Sequence, residues 1–478
     1  MKSQNAKGWA ARSFFKVIGL GLALLVLGGL GCSHYHYPVN AQLTQWNPED
    51  GYRGKNLRDP LKKEDLLLLS TFSGGGTRAA AFSYGVLEAL RDTKISLRGK
   101  STTLLQELDS ISAVSGGSFT AAYYGLYGDR IFQDFEARFL KKNVQGDLTT
   151  NVLFNPFNWL RLFSPFFDRS DLAAEYYDKN LFEGATFGDL LKQKGPMIFI
   201  NATDMIQGTR MAFTQDAFDV ICSDLSTFSV ARACAASSAV PILLTPLTLK
   251  NYAGSCGYSM PKTLEMAMEE RDLPDRRFDL ANNVLPFLDS KTKPYIHLVD
   301  GGVADNLGIR ALLEKIISMG DAWTTLKAAG QEEVHKIVFL IVNAETEINP
   351  KWNLLGSIPP FSAMVDSYSS IAISRYNIET VALLRESLRG WEDQIRQGRC
   401  PAGRISSEPG SCGDIKFYLI EVKFDALKDQ EERTYFKRLP TSFTLPPEDV
   451  DKLREVAGRI IRNSREFKRL IKDLEGPS

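Results

Sequence analysis

The sequence of 478 residues contains only four histidines, and it lacks the motifs that mark several classes of binding site. No glycine-rich loop ends in the Lys-Ser/Thr pair of a nucleoside-triphosphate site, and no Gly-x-Gly-x-x-Gly precedes a ribose-binding acid. No Cys-x-x-Cys or His-Cys cluster indicates a metal centre. These absences disfavour a nucleotide-binding protein and a metalloprotein.

An excess of positive charge is also missing. Lysine and arginine together number 57, as do aspartate and glutamate. Residues 1–31 carry four of the basic residues and none of the acids, so the rest of the chain has a formal charge of −4. This balance predicts no nucleic-acid partner. The apolar fraction of 44% and the length suit one large α/β domain with additions.

The most informative stretch of the sequence is 109–124, where an apolar run ends near Val114 and small residues precede an alanine-rich, helix-compatible segment. A strand that turns abruptly into a helix here would place Ser115 at the apex of a nucleophile elbow. The amide of Gly116 would then lie at the helix N-terminus, as a candidate donor to an oxyanion. The alternative is a serine-rich connection without chemistry.

A glycine cluster precedes this elbow. The apolar run 66–72 predicts a buried parallel strand, and residues 79–91 have the composition of a helix. The loop between them has several backbone amides that could converge on an anion, and a phosphate is the alternative to an oxyanion. The candidate donors are Gly74, Gly75, Gly76 and Thr77. Arg78 follows them, as a residue that either braces the loop or binds a phosphate.

A third segment, 295–306, contains an apolar strand that ends at Asp300 and is followed by two glycines. Open α/β sheets bind ligands at the carboxyl ends of their strands, and the glycines let the chain turn away without covering the carboxylate. Asp300 is therefore the candidate general base. An aspartate that merely opens a Gly-Gly turn is the alternative.

Together, in this order, the three segments resemble the patatin-like phospholipase family over roughly residues 66–345. The segments 199–213 and 230–241 extend the likeness. Two departures are visible, Ala113 at the first glycine of the elbow and Ala79 after the basic residue, and both keep a small side chain.

The resemblance implies a three-layer α/β fold, in which helices cover both faces of a sheet, and the chemistry of a phospholipase A or lysophospholipase. Ser115 would attack a lipid ester, Asp300 would carry the proton, and no metal or cofactor would take part. A lipid acyltransferase and a lipid-binding lipoprotein that retains the fold without activity are the alternatives.

The four histidines, His34, His36, His297 and His335, give independent support for a Ser-Asp dyad, because a Ser-His-Asp triad would have to recruit one of them. None is well placed: His297 lies three residues before Asp300, and alternation along the strand turns the two side chains to opposite faces. We therefore expect His297 to be structural. For a carboxylate that acts alone to be an adequate base, either the carboxylate must be partly desolvated or the serine must be acidified by its helix N-terminus.

The N-terminus has the features of an export signal. Residues 1–31 combine basic residues with the apolar run 17–30, which is too short to span a membrane comfortably. Leu30-Gly31-Cys32 resembles the end of a bacterial lipobox, which would make Cys32 a lipid-modified first residue. Residues 32–65 would then tether the protein to the cell envelope, at the outer membrane or the periplasmic face. An uncleaved anchor helix is the alternative.

Five cysteines follow Cys32. Cys400 and Cys412 bracket a loop rich in glycine, proline and serine, and a disulfide there would contribute about 3 kcal/mol in the chain-entropy model. Cys222 and Cys256 could pair across the turn that contains Cys234.

Two further regions complete the sequence. The segment 152–167 is dense in large apolar residues interrupted by prolines, and it predicts a lid or acyl-chain wall near Ser115, or ordinary core packing. The extension 346–478 is expected to complete the sheet or pack on it, through a helical region 350–390, a strand 415–422 and an amphipathic helix that starts at Pro446.

Overall fold

The computed structural model describes residues 40–58, 65–97, 99–240, 243–271, 275–347, 353–400 and 411–475. The predicted export segment 1–31, Cys32, His34 and His36 lie outside the described residues. Within the described ranges, no helix is both long and apolar enough to cross a membrane.

In the described part of the chain, eight strands form one mixed sheet in the order β12-β11-β2-β5-β6-β10-β9, with β7 paired to β6. The strands are β1 (Ala41–Gln42), β2 (Leu66–Phe72), β3 (Lys94–Leu97), β4 (Lys100–Thr103), β5 (Leu108–Val114), β6 (Met197–Asp204), β7 (Arg210–Ala212), β8 (Ser223–Asp224), β9 (Leu247–Lys250), β10 (Tyr295–Asp300), β11 (Lys336–Asn343) and β12 (Lys416–Lys423).

Helices cover both faces of this sheet. In chain order they are α1 (Gly54–Leu57), α2 (Gly76–Asp92), α3 (Gly116–Tyr127), α4 (Ile131–Phe135), α5 (Val144–Leu153), α6 (Pro156–Leu162), α7 (Arg169–Tyr177), α8 (Phe187–Gln193), α9 (Gln215–Val220), α10 (Val230–Ser237), α11 (Lys262–Glu270), α12 (Arg276–Val284), α13 (Gly302–Asp305), α14 (Arg310–Met319), α15 (Ala322–Ala328), α16 (Phe361–Arg399), α17 (Gln430–Lys437), α18 (Pro447–Asn463) and α19 (Arg465–Glu475).

Alternate residues of the central strands lie in different cores, which is why their sequences are continuously apolar. Leu68 and Leu340 belong to the core beneath α2 and α18, whereas Leu67 and Phe339 pack against α14, α15 and α16 on the other face. A strand buried on both faces needs no polar residues in alternation. The predicted three-layer α/β architecture is confirmed.

Strand β10 runs in a direction that the sequence analysis did not predict. It pairs antiparallel with β6, with Asp300 opposite Ala202, while β5 pairs parallel with β6, with Val114 opposite Asn201. β10 therefore runs into the sheet from the edge where the parallel strands end. It stops one register step short of the level of Val114, so that Asp300 lies beside the start of the elbow.

The C-terminal extension is built into the domain. β12 extends the sheet by pairing parallel with β11 over its whole length, and the apolar side of α18 is buried against α2. At Gly85 a β-carbon would lie 2.4 Å from the carbonyl oxygen of Arg454, so only glycine allows the two helices to approach this closely. The predicted terminal helix ends at Asn463, and α19 follows as a separate helix.

Residues 40–58 correct the prediction of a tether that covers 32–65. β1 pairs with β8, the Tyr52 hydroxyl donates to the carbonyl of Ile198 at 3.3 Å, and Arg53 forms an ion pair with Asp219 at 2.5 Å. Residues 40–58 are held on the domain by single side chains and one short strand, without a periodic apolar pattern. The sequence therefore did not predict this docking.

Both predicted disulfides are present, Cys222–Cys256 and Cys400–Cys412. Cys234 is a free thiol, and burial raises its pKa well above the ordinary value. Since the thiolate is the reactive form, Cys234 is a packing residue.

Candidate active site

Ser115 occupies a strained turn between β5 and α3. Its backbone angles are φ 49° and ψ −122°, in a region that residues with a β-carbon rarely adopt. The neighbouring chain leaves room only for glycine at the next position, since a β-carbon on Gly116 would lie 2.0 Å from the carbonyl oxygen of Gly76. The predicted strand-to-helix turn with Ser115 at its apex is confirmed.

Buried hydrogen bonds among serine side chains and the backbone hold the turn at Ser115 in place. The amide of Ser115 donates to Oγ of Ser237 at 2.9 Å, and Ser237 Oγ donates to the carbonyl of Asn201 at 2.6 Å. Oγ of Ser118 lies 3.0 Å from the same hydroxyl. Ser237 belongs to the segment 230–241 that extends the family likeness, but nothing in the sequence assigned it a role beyond a serine among alanines.

The side chains of Ser115 and Asp300 meet directly. Ser115 Oγ donates to Asp300 Oδ2 at 2.8 Å, and the amide of Gly302 donates to Asp300 Oδ1 at 2.7 Å. The hydroxyl of Thr203 donates to the Asp300 carbonyl at 2.9 Å and fixes the backbone beneath the carboxylate. The two residues singled out from sequence, 185 positions apart, therefore form one hydrogen-bonded pair.

Burial makes Asp300 a stronger base than an ordinary aspartate. Desolvation raises the pKa of its carboxyl to about 6, against the opposing effect of the hydrogen bonds from the Gly302 amide and the Ser115 hydroxyl. A carboxylate with this pKa is still mostly ionised at neutral pH, and it accepts a proton more readily than an exposed one. Desolvation, one of the two conditions that the sequence analysis gave for a lone carboxylate, is present.

The pKa of Asp300 predicts a specific pH dependence. A general base must be ionised, so kcat/KM should fall as the pH decreases through about 6, rather than through the range of an ordinary carboxyl near 4. The measurement is a pH profile of kcat/KM with a soluble ester.

Asp305 supplies the control for this profile, because burial also raises the pKa of its carboxyl to about 6. Its Oδ2 accepts from the amide of Arg310 at 2.6 Å, and an asparagine could keep that bond. The Asp305→Asn variant should still show the fall of kcat/KM as the pH decreases through about 6. If this fall disappears in Asp305→Asn, it is caused by the titration of Asp305, and the prediction for Asp300 is contradicted.

The glycine loop, residues 74–77 at the start of α2, contains backbone amides that donate to a carbonyl and backbone amides that do not. Those of Gly74 and Thr77 are engaged, because they donate to the carbonyls of Asn306 at 3.0 Å and Ser442 at 2.9 Å. Within the described ranges, the amides of Gly75, Gly76 and Gly116 donate to no protein acceptor. The structure therefore narrows the five predicted oxyanion donors to these three.

The Arg78 guanidinium binds residues that follow the catalytic-domain motifs in the chain, most of them in the C-terminal extension. Nε donates to the carbonyl of Ala344 at 2.9 Å, Nη1 to that of Leu439 at 2.7 Å, and Nη2 to Oγ1 of Thr441 at 3.1 Å. Burial lowers the pKa of the guanidinium to about 9. Of the two roles expected for Arg78, these contacts are those of a brace. We call residues 439–443 the brace segment.

The two histidines in the described part of the chain have other contacts. Nδ1 of His297 lies 2.8 Å from Oγ1 of Thr248 on β9, and Nδ1 of His335 lies 2.6 Å from the carbonyl oxygen of Asp414. Both interactions are structural, as expected for His297.

A large cavity lies apart from the Ser-Asp pair. It has a volume of about 1590 Å³, and its lining includes Leu67, Phe339 and Trp391 on the face of the sheet covered by α14–α16. Neither Ser115 nor Asp300 lines it. We therefore do not assign this cavity to the candidate active site.

A comparison with known protein families agrees with the resemblance seen in the sequence. The family described as patatin-like phospholipase matches residues 71–313. A structure of human GIVD cytosolic phospholipase A2 is similar with a TM-score of 0.42 and 13% identity, over 88% of this chain and 64% of that one. The same human enzyme with methyl gamma-linolenyl fluorophosphonate and terbium chloride gives a TM-score of 0.40 and 12% identity, over 88% and 62%. This chain thus spans less than two thirds of that enzyme. A search of curated proteins gave no match.

Proposed function

Because the chain belongs to the patatin-like phospholipase family, we propose that it is a serine acyl hydrolase that cleaves fatty-acyl esters of phospholipids or lysophospholipids through a Ser-Asp dyad. The observation that carries this proposal is the 2.8 Å hydrogen bond from Ser115 to Asp300, made at a strained turn beside unengaged glycine amides. A nucleophile, a base in contact with it and an adjacent set of donors are the parts that acyl transfer requires.

In the proposed reaction, Ser115 Oγ attacks the ester carbonyl carbon while its proton passes to Asp300. The amides of Gly75, Gly76 and Gly116 are the candidate donors to the oxyanion of the tetrahedral intermediate. When that intermediate collapses, the carbon–oxygen bond to the alcohol breaks, and the leaving alkoxide takes the proton from Asp300. Water then attacks the acyl-enzyme, its proton passes to Asp300, and Ser115 recovers the proton as the fatty acid leaves.

A fluorophosphonate with an alkyl tail tests this proposal, because it forms a stable bond only with an activated serine. We expect labelling of the peptide that contains Ser115, together with fatty-acid release from phospholipid vesicles. Asp300→Asn should slow the labelling. Modification of a different serine, or lipid hydrolysis by protein with unmodified Ser115, would contradict the assignment.

We also propose that the chain is exported and anchored to the cell envelope through lipid on Cys32. Two disulfides in the folded domain fit an oxidising compartment and support export. A labelled fatty acid should be incorporated into the wild-type protein and not into Cys32→Ala. An intact mass that retains the whole apolar segment would establish the anchor-helix alternative instead.

A further inference from the structure

The segment 144–167 exposes an unusual number of large apolar side chains. Helices α5 and α6 contact each other through the Asn158 side-chain amide, which donates to the carbonyl of Asn151 at 3.0 Å, and through the indole of Trp159, which donates to that of Val152 at 2.9 Å. We call this unit the α5–α6 hairpin. Its large apolar residues that are at least half exposed are Leu153, Phe154, Phe157, Trp159, Leu160, Phe163 and Phe166. Core packing, one of the two expectations for 152–167, holds for Phe167, which is 2% exposed, and not for these seven residues.

The fractional exposure of three of these rings is extreme: 76% for Phe154, 77% for Phe157 and 81% for Phe163. A water-soluble surface rarely groups so many aromatic and aliphatic side chains in one short segment. Such a grouping indicates that another phase or molecule covers it.

The charge of the hairpin favours a lipid surface as that partner. The segment 144–167 includes one acid, Asp147, and one base, Arg161. This guanidinium is paired with Glu175 and lies 3.9 Å from the centre of the Phe167 ring. The Asp147 carboxylate accepts from the Tyr176 hydroxyl at 2.5 Å, and residues 148–167, which carry all of the exposed apolar side chains, contain no acid that would oppose the phosphates of a bilayer. Tryptophan and phenylalanine are the residues that amphipathic helices place at the boundary between headgroups and acyl chains.

Two chains of contacts connect the hairpin to the candidate active site. At its beginning, the amide of Gln145 donates to the carbonyl of Phe443 at 3.1 Å, and the neighbouring Ser442 accepts from Thr77 of the glycine loop. The brace segment therefore contacts both the α5–α6 hairpin and the glycine loop.

The second chain of contacts starts at α6, where Arg161 pairs with Glu175 on α7. On the same helix α7, Asp171 pairs with Arg232 of α10, which also carries Ser237 behind the nucleophile. The hairpin is thus attached to elements that hold the glycine loop and Ser115.

We propose that the α5–α6 hairpin docks into the interfacial layer of a phospholipid bilayer and thereby brings the Ser115–Asp300 site to membrane-resident substrate. Docking of the hairpin into the bilayer needs no catalysis. Only the delivery of the Ser115–Asp300 site to its substrate rests on the proposed function. A contact between two copies of this chain through the same side chains is the competing occupant.

Trp159 offers a direct test, because it lies on the hairpin and is half exposed. The full-length protein is mixed with vesicles of phosphatidylethanolamine and phosphatidylglycerol, with and without lipids brominated near the headgroup end of the acyl chain. We expect the brominated lipid to quench the part of the tryptophan emission that Trp159→Phe lacks. This readout reports the position of the hairpin whether or not Cys32 carries lipid. If the emission of Trp159 is the same in both vesicles, the proposal is wrong.

A kinetic test uses the double variant Phe157→Ser/Phe163→Ser. We expect the ratio of vesicle turnover to turnover of a water-soluble short-chain ester to fall by about tenfold or more, since each phenyl ring would lose its burial in lipid. Met266→Ser is the matched control, an exposed apolar residue on α11 that should leave the ratio at its wild-type value. An unchanged ratio in the double variant would overturn the proposal.

Failure of the proposed function would be recognisable separately. A wild-type protein that hydrolyses neither ester would contradict the hydrolase, while quenching of Trp159 would still establish docking. Concentration-dependent dimers in sedimentation that disappear in the double variant, without quenching by brominated lipid, would assign the surface to a second copy and overturn the membrane proposal.

Discussion

Replacement of Ser115 by alanine is expected to reduce phospholipid hydrolysis by about 10⁴-fold or more, because the reaction loses its nucleophile. Asp300→Asn should cause a loss of similar order, since its uncharged amide cannot take the proton that Ser115 Oγ now donates at 2.8 Å. The measurement is fatty-acid release from vesicles and from a soluble ester, with folding checked by circular dichroism.

The double variant and the histidines provide the controls. If both residues serve one step, the loss in the Ser115→Ala/Asp300→Asn variant should be close to that of either single variant, not their product. Substitution of all four histidines, His34, His36, His297 and His335, should leave appreciable turnover. Hydrolysis by a well-folded Ser115→Ala protein would contradict the Ser-Asp dyad. Loss of nearly all activity in the variant without histidines would favour a Ser-His-Asp triad.

Gly76→Val is expected to lower kcat by roughly a hundred- to a thousand-fold, which corresponds to about 2.7–4 kcal/mol of barrier. Gly76 has a φ of 59°, and a β-carbon there would lie 2.3 Å from the carbonyl oxygen of Ser442. The side chain must therefore push the loop away from the brace segment and misplace its amides. The measurement is kcat and KM on vesicles, and KM should change much less than kcat.

Gly128→Val is the matched control for backbone strain. Gly128 has a φ of 54°, close to that of Gly76, but nothing lies within 4 Å of the position of its β-carbon. Both variants should lose stability in thermal unfolding, whereas only Gly76→Val should lose turnover. Equal turnover in the two variants would remove the glycine loop from the oxyanion site.

The pairing of Ser115 with Asp300 could be predicted because each residue lies at the end of a strand whose apolar pattern is unmistakable. The elbow at Ser115, the glycine loop and the turn after Asp300 are local features, encoded by small residues at fixed offsets from those strands. The sequence also offered both disulfides as candidate pairs, Cys400–Cys412 around a loop and Cys222–Cys256 across a turn.

Structural features that depend on contacts between residues far apart in the chain could not be predicted from local sequence patterns. The antiparallel direction of β10 follows from its pairing with β6 and β9, and nothing in its own sequence specifies it. The docking of residues 40–58 depends on single anchors such as Tyr52. The engagement of Gly74 and Thr77 depends on carbonyls of Asn306 and Ser442, which are far away in the chain.

The brace segment has a consequence for the order in which the protein becomes active. Ser115 and Asp300 are synthesised well before residues 439–443, which supply two of the three acceptors of Arg78 and the carbonyl that holds Thr77. A growing chain that has not reached Ser442 therefore has its nucleophile and base but an unsupported glycine loop. The support of the glycine loop is expected only after residues 439–443 have been synthesised and have docked on α2.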